Sequence, residues 1–239
     1  MKENSTLIVF LLDRSGSMGK VRDDTIGGFN VFVDKQRKET KGEVKLTLIQ
    51  FDNKYELNYA LMPLDKVSAL TQETYVPRGN TALIDSMVRA IRDTGIVLSS
   101  MSEAERPSRV IFVTVTDGEE NSSKEFNSMQ LREMINHQRS KYSWDFIYLG
   151  ANHDAFTTAA QYGYFASSTG NWNYANTGMA YTTVADSISC AVNNNKSFKF
   201  TQDPNAPVSG TATNGGTGIN VIGGSTVPVV GLTNTESKS

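Results

Sequence analysis

Three short polar segments carry residue types that could do chemistry: Asp13-Arg14-Ser15-Gly16-Ser17-Met18-Gly19, Gly79-Asn80-Thr81-Ala82-Leu83 and Thr116-Asp117-Gly118-Glu119-Glu120-Asn121. Among their side chains, two carboxylates, Asp13 and Asp117, and three hydroxyls, Ser15, Ser17 and Thr81, stand out. A hard divalent cation wants oxygen donors, and Mg²⁺ takes them octahedrally while keeping several waters. These five side chains are therefore a donor set for Mg²⁺ or Mn²⁺, provided the fold brings them together. Taken singly, the segments also read as ordinary loops, since Asp and Ser cap helices and Asp-Gly is a common turn pair.

Other chemistries fit less well. A phosphate-cradling G-x-x-x-x-G-K-[ST] loop is broken by Arg14 and Val21 around Gly19-Lys20, and neither a G-x-G-x-x-G nor a G-x-S-x-G element follows the first strand. A metal-dependent phosphoaspartyl hydrolase, with Asp13 as nucleophile, stays open as a minor alternative, but such enzymes carry a second Asp two residues on, where this chain has Ser15. His153-Asp154 is an acid/base pair or a capping pair, and His137 reads as a surface residue. Glu119 and Glu120 read as solvated loop carboxylates and Cys190 as a small core residue. Trp172 and Tyr174, among Asn171, Asn173 and Asn176, form either a contact surface or a loop packed on the domain.

The elements that must position the five oxygens follow from hydrophobic patterning. Leu7–Leu12 and Val110–Val115 are unbroken apolar runs, the mark of parallel strands covered on both faces. Trp144–Leu149 is a third. Lys45–Phe51 and Tyr55–Leu61, joined by Asp52-Asn53-Lys54, read as a hairpin that adds one antiparallel edge strand. Helices are expected around Ile26–Gln36, from near Thr81 through Leu98, to about residue 142 after a Ser122/Glu125 capping box, at 153–162 and at 177–194, with a weak strand at Tyr164–Ala166. Strands alternating with helices make a doubly wound α/β sheet, whose ligands bind beyond the carboxyl ends of the strands. Asp13 and Asp117 both sit at such ends.

Composition narrows the function classes. The chain has 239 residues with 23 basic and 25 acidic side chains, a net charge of −2, so no overall field draws it to nucleic acid or an anionic membrane. Its one cysteine excludes an internal disulfide framework. The apolar run at Leu7–Leu12 is too short for a signal-peptide core or a membrane span. The expectation is a cytoplasmic protein without membrane insertion. After about residue 200 the sequence turns rich in Gly, Thr, Asn and Val, which predicts a domain over 1–200 and an extension over 201–239. That extension reads as a flexible tail or as an arm, with Val221, Ile222 and Val227–Val230, that orders against a partner.

Asp13-x-Ser15-x-Ser17, Thr81 in Gly-Asn-Thr-Ala-Leu and Thr116-Asp117-Gly118 together resemble the metal-ion-dependent adhesion site of von Willebrand factor type A (vWA) domains. The resemblance spans about residues 5–195 and keeps the family's segment order. It implies a vWA/Rossmann-like fold, Mg²⁺ or Mn²⁺ at Asp13, Ser15, Ser17, Thr81 and Asp117, partly through water, and no catalysis. It also implies that a carboxylate from a partner protein completes the octahedron. Compact members of prokaryotic or bacteriophage type fit this chain, and a virion-associated role in which the C-terminal arm locks into a neighbour is the alternative.

Overall fold

The computed structural model describes residues 1–151, 155–172, 176–196 and 198–200. At its centre is strand β1, Lys2–Asp13. Alternation sends Ile8, Phe10 and Leu12 into one core cluster and Leu7, Val9 and Leu11 into another. Two buried faces are why the run shows no polar alternation. Each of these side chains contributes roughly 2 kcal/mol through burial.

Strand β1 pairs in parallel with β2, Glu43–Phe51, and with β4, Pro107–Thr116. Strand β4 pairs in parallel with β5, Asp145–Ala151, and β5 with β6, Thr169–Trp172. Strand β3, Tyr55–Pro63, returns antiparallel along β2, giving the order β3-β2-β1-β4-β5-β6. This is the expected mostly parallel, doubly wound sheet with one antiparallel edge strand.

Helices cover both faces. Helices α1, Arg22–Glu39, and α5, Thr177–Asn193, lie over the Phe10 face, where the rings of Phe29 and Phe32 meet Phe10 edge-on at 5.3 and 5.0 Å. Buried Gln36 ties the two helices, its Nε2 donating to the Ala185 carbonyl at 2.8 Å and to Ser189 Oγ at 3.1 Å. Helices α2, Leu83–Ser100, α3, Ser128–Tyr142, and α4, Ala155–Tyr162, cover the Leu11 face. No helix among the described residues is long and apolar enough to cross a membrane.

Three local expectations are corrected. The capping box of α3 is Asn127/Gln130, with side chain and backbone exchanging bonds of 3.0 Å, whereas the Ser122–Glu125 amides are held by carboxylates of Glu120 and Asp85. The weak strand falls at Thr169–Trp172 instead of 164–166: the Tyr164 amide closes the end of α4 on the Ala159 carbonyl at 2.9 Å, and its ring turns inward, with the hydroxyl 3.0 Å from Thr114 Oγ1. Cys190 is exposed: it lies about 200° around α5 from buried Ile188. His153-Asp154, Tyr174, Asn173 and the 201–239 extension lie outside the described residues.

Candidate metal centre

Adjacent parallel strands bring the first and third segments together. Leu12 stands opposite Val115, so Asp13 and Thr116 leave the sheet side by side, and Thr116 Oγ1 donates to Asp13 Oδ2 at 2.6 Å. The other oxygen, Asp13 Oδ1, accepts from the Ser15 amide at 2.6 Å. Buried Tyr75 donates its hydroxyl to the Asp13 carbonyl at 2.6 Å, which fixes the end of the strand from below. Across the gap, Ser17 Oγ donates to Asp117 Oδ1 at 2.7 Å and lies 3.1 Å from Ser15 Oγ.

The second segment is sewn onto both of the others. The Gly16 amide donates to the Gly79 carbonyl at 3.1 Å, and the Arg78 amide to the Arg14 carbonyl at 2.7 Å. Gly79 has φ +67°, and a side chain there would run into Asn53 Oδ1, so only glycine makes this turn. Thr81 donates its amide to Asn121 Oδ1 at 2.9 Å, while its carbonyl accepts from the Asn121 and Ser122 amides at 3.1 and 3.2 Å.

Gly118 measures the convergence. A Cβ built on it would sit 3.1 Å from Thr81 Oγ1, 3.4 Å from Ser17 Oγ and 3.7 Å from Asp13 Oδ2. Three of the five predicted donors thus face one small space, and hydrogen bonds tie Ser15 and Asp117 to the same cluster. Asp13, Ser15, Thr81 and Asp117 are buried, and Ser17 is exposed, so the cradle opens to solvent on the Ser17 side.

The donors fit a hard cation. Among the described residues no three His, Cys, Asp or Glu side chains stand together, so the set is two carboxylates with three hydroxyls and lacks the thiolates and imidazoles that select softer metals. Burial pushes the Asp13 carboxyl up to about 6, although hydrogen bonds from Thr116 and Ser15 pull it down, and the Asp117 charge adds to the rise. Burial raises Asp117 too, against the hydrogen bond from Ser17. The Lys20 charge eases Asp117 but burial outweighs it, and a divalent ion at this point would favour both carboxylates in the ionised form.

Two arginines beside these segments are engaged elsewhere. Arg14, inside the first segment, turns its guanidinium to buried Asp52 at 3.1 Å and to Glu56 at 2.7 Å, and Arg78 reaches the same two acids at 2.9 and 2.6 Å. Glu56 is held down to about 2, chiefly by Arg14. Glu120 is a clamp and not a solvated loop group: its carboxylate takes the Ile84 amide at 2.8 Å and those of Ser122 and Ser123 at 2.9 and 2.7 Å.

No protein-family model matches the chain, and no curated protein matches it either. Solved structures do. A von Willebrand factor type A protein from Catenulispora acidiphila superimposes with a TM-score of 0.55 at 16% identity, covering 79% of this chain and 43% of the other. The fold is von Willebrand A-like. Proximal thread matrix protein 1 of the mussel byssus, with a zinc-occupied MIDAS motif, shares this vWA-like fold with a TM-score of 0.55 at 14% identity, covering 77% and 48% of the two chains. Manganese-loaded TRAP protein of Plasmodium vivax gives 0.50 at 14% identity, covering 74% and 72%. The chain spans less than half the length of the Catenulispora and mussel proteins.

The vWA-like frame accounts for what sequence reasoning found and missed at the site. All five predicted donors come to one sheet edge. Of the residues that hold those donors in place, Tyr75 is not singled out by the sequence, Thr116 and Asn121 read only as members of their segment, and Glu120 reads as a solvated carboxylate. Thr116 alone carried a readable signal, a hydroxyl closing an apolar strand directly before Asp117.

Proposed function

We propose that the protein is a divalent-metal-dependent protein-binding module that docks an acidic side chain of a partner. The observation that supports this most is the cradle around Gly118, where carboxylate and hydroxyl oxygens of three segments converge and open to solvent beside Ser17. Asp13, Ser15, Ser17, Thr81 and Asp117 would hold Mg²⁺ or Mn²⁺. When bound there, the ion supplies an electron-poor open position that prefers an oxygen anion. The chain's own residues set that preference: with only two carboxylates in the cradle, the ion's charge is not exceeded. Thr116 and the Ser15 amide fix the Asp13 oxygens so that the cradle is formed before a partner arrives.

Metal occupancy in two proteins of similar fold, zinc in the mussel protein and manganese in TRAP, is consistent with a divalent ion here. The module acts by binding and not by turnover, since Ser15 stands where a phosphoaspartyl enzyme needs its second acid. Affinity purification of the native protein in Mg²⁺ tests the reading. The partner should elute with chelator and fail to bind Thr81→Ala. A complex that survives chelator undiminished contradicts metal-bridged docking.

A further inference from the structure

Beside the metal cradle lies an open groove of about 900 Å³. Asn80 and Ala82, the neighbours of Thr81, form its upper end, together with Asn121, which binds the Thr81 amide. From there it follows the outward stripe of α2, where Asp85, Arg89, Arg92 and Ile96 recur at helical spacing. The hairpin residues Lys54 and Tyr55 form one wall and Lys124 stands on the other.

The charges in this groove are unequally occupied. Asp85 is engaged by backbone, accepting amides of Lys124 and Phe126 at 2.7 and 3.0 Å. Asp93 stands 3.6 Å from Arg89, whose guanidinium rests 4.2 Å above the Tyr55 ring. Lys54, Arg92 and Lys124 are exposed, and among the described residues no ion pair holds any of them. Lys54, Arg89, Arg92 and Lys124 outnumber the lining acids Asp85, Asp93 and Glu125 by one, so the groove is slightly positive in a chain whose net charge is −2.

We propose that this groove is the second half of the partner site, reading further carboxylates on an extended acidic peptide segment whose first acid sits at the metal cradle. The inference rests on the docking reading above and gives the partner a sequence character. From Leu83 to Arg92 the helix rises roughly 14 Å, which about four residues of extended chain span. The partner segment therefore carries a second acid about four residues from the one at the metal, opposite Arg92, with Lys54 beside the cradle end of the path. Arg89 is pre-positioned by Tyr55 and adds charge at the middle of the path.

A fluorescein-labelled deca-glutamate peptide, with deca-glutamine as the neutral control, tests this by anisotropy in excess Mg²⁺. The full-length protein should bind the acidic peptide and not the neutral one. The combined variant Lys54→Gln, Arg92→Gln, Lys124→Gln should bind it at least tenfold more weakly while its Mg²⁺ affinity by calorimetry stays that of the wild type. Equal peptide affinity in the combined variant overturns the groove, whatever Asp13→Ala does. Displacement of the peptide by a thymidine decanucleotide more effectively than by unlabelled deca-glutamate also overturns it, because the groove would then favour a phosphate backbone. If instead Asp13→Ala keeps full peptide affinity and the combined variant loses it, the groove stands and the metal-bridged docking falls.

Discussion

At Asp13 the demands of folding and of the site conflict. The side chain is fully buried, and hydrogen bonds from Thr116 and from the amide and hydroxyl of Ser15 offset its charge in part. A rise from 3.8 to about 6 marks a charge penalty on the order of 3 kcal/mol at neutral pH in the metal-free protein. Asp13→Asn removes the charge and keeps the shape, so it should stabilise the metal-free fold by about 1 to 3 kcal/mol and abolish any response to metal. Thermal unfolding in chelator and in excess Mg²⁺ checks both halves: the variant should melt above the wild type in chelator and stay unmoved by Mg²⁺. A variant that melts lower in chelator and still responds to the ion contradicts the assignment. The convergence of the five candidate donors was legible in the sequence because hydroxyls and carboxylates in three loops are chemically conspicuous. Tyr75 was not, because an aromatic ring in an irregular loop reads as packing until the partner of its hydroxyl, the Asp13 carbonyl, is seen.

Among the elements, the β2–β3 hairpin does more than close the edge of the sheet. Asp52 and Glu56 on it engage Arg14 from the metal loop and Arg78 from the Thr81 loop, so three segments share one ion cluster. Glu56 lies below its usual 4.5, at about 2, so its contribution to stability is fully present above pH 4.5 and is lost as pH falls toward about 2. Its side chain is 42% exposed, so solvent and salt screen the effect. Glu56→Gln should therefore lose less stability between pH 5 and pH 3 than the wild type does, by urea midpoints at about those two values. Equal losses in the two proteins would place the acid sensitivity elsewhere. The strands were readable because burial on both faces leaves unbroken apolar runs. Helix starts were less so: Ser122 and Glu125 have capping-box spacing, yet Glu120 and Asp85 bind the amides there first, and the helix begins after Asn127. The shift of β6 has a similar origin, since the Tyr164 amide is spent on the Ala159 carbonyl at the end of α4 and is not free for a strand ladder.

In the whole molecule, the sheet order sets where function can reside. Strands β1 and β4 are neighbours at the centre, so the loops after them meet above the most deeply buried part of the fold, and α2 brings Thr81 to the same edge. The frame below is rigid, with Phe10, Phe29 and Phe32 interlocked on one face and Gln36 joining α1 to α5. Rigid support of this kind holds a cradle at its binding geometry before the ion arrives. The central claim is that one divalent ion binds among Asp13, Ser15, Ser17, Thr81 and Asp117. Titration calorimetry of Mg²⁺ and Mn²⁺ into wild type, Asp13→Ala and Asp117→Ala tests it most directly. One ion per chain binding the wild type, and none binding either variant while both retain the wild-type far-UV spectrum, is the predicted result. Unchanged metal affinity in both variants would contradict it.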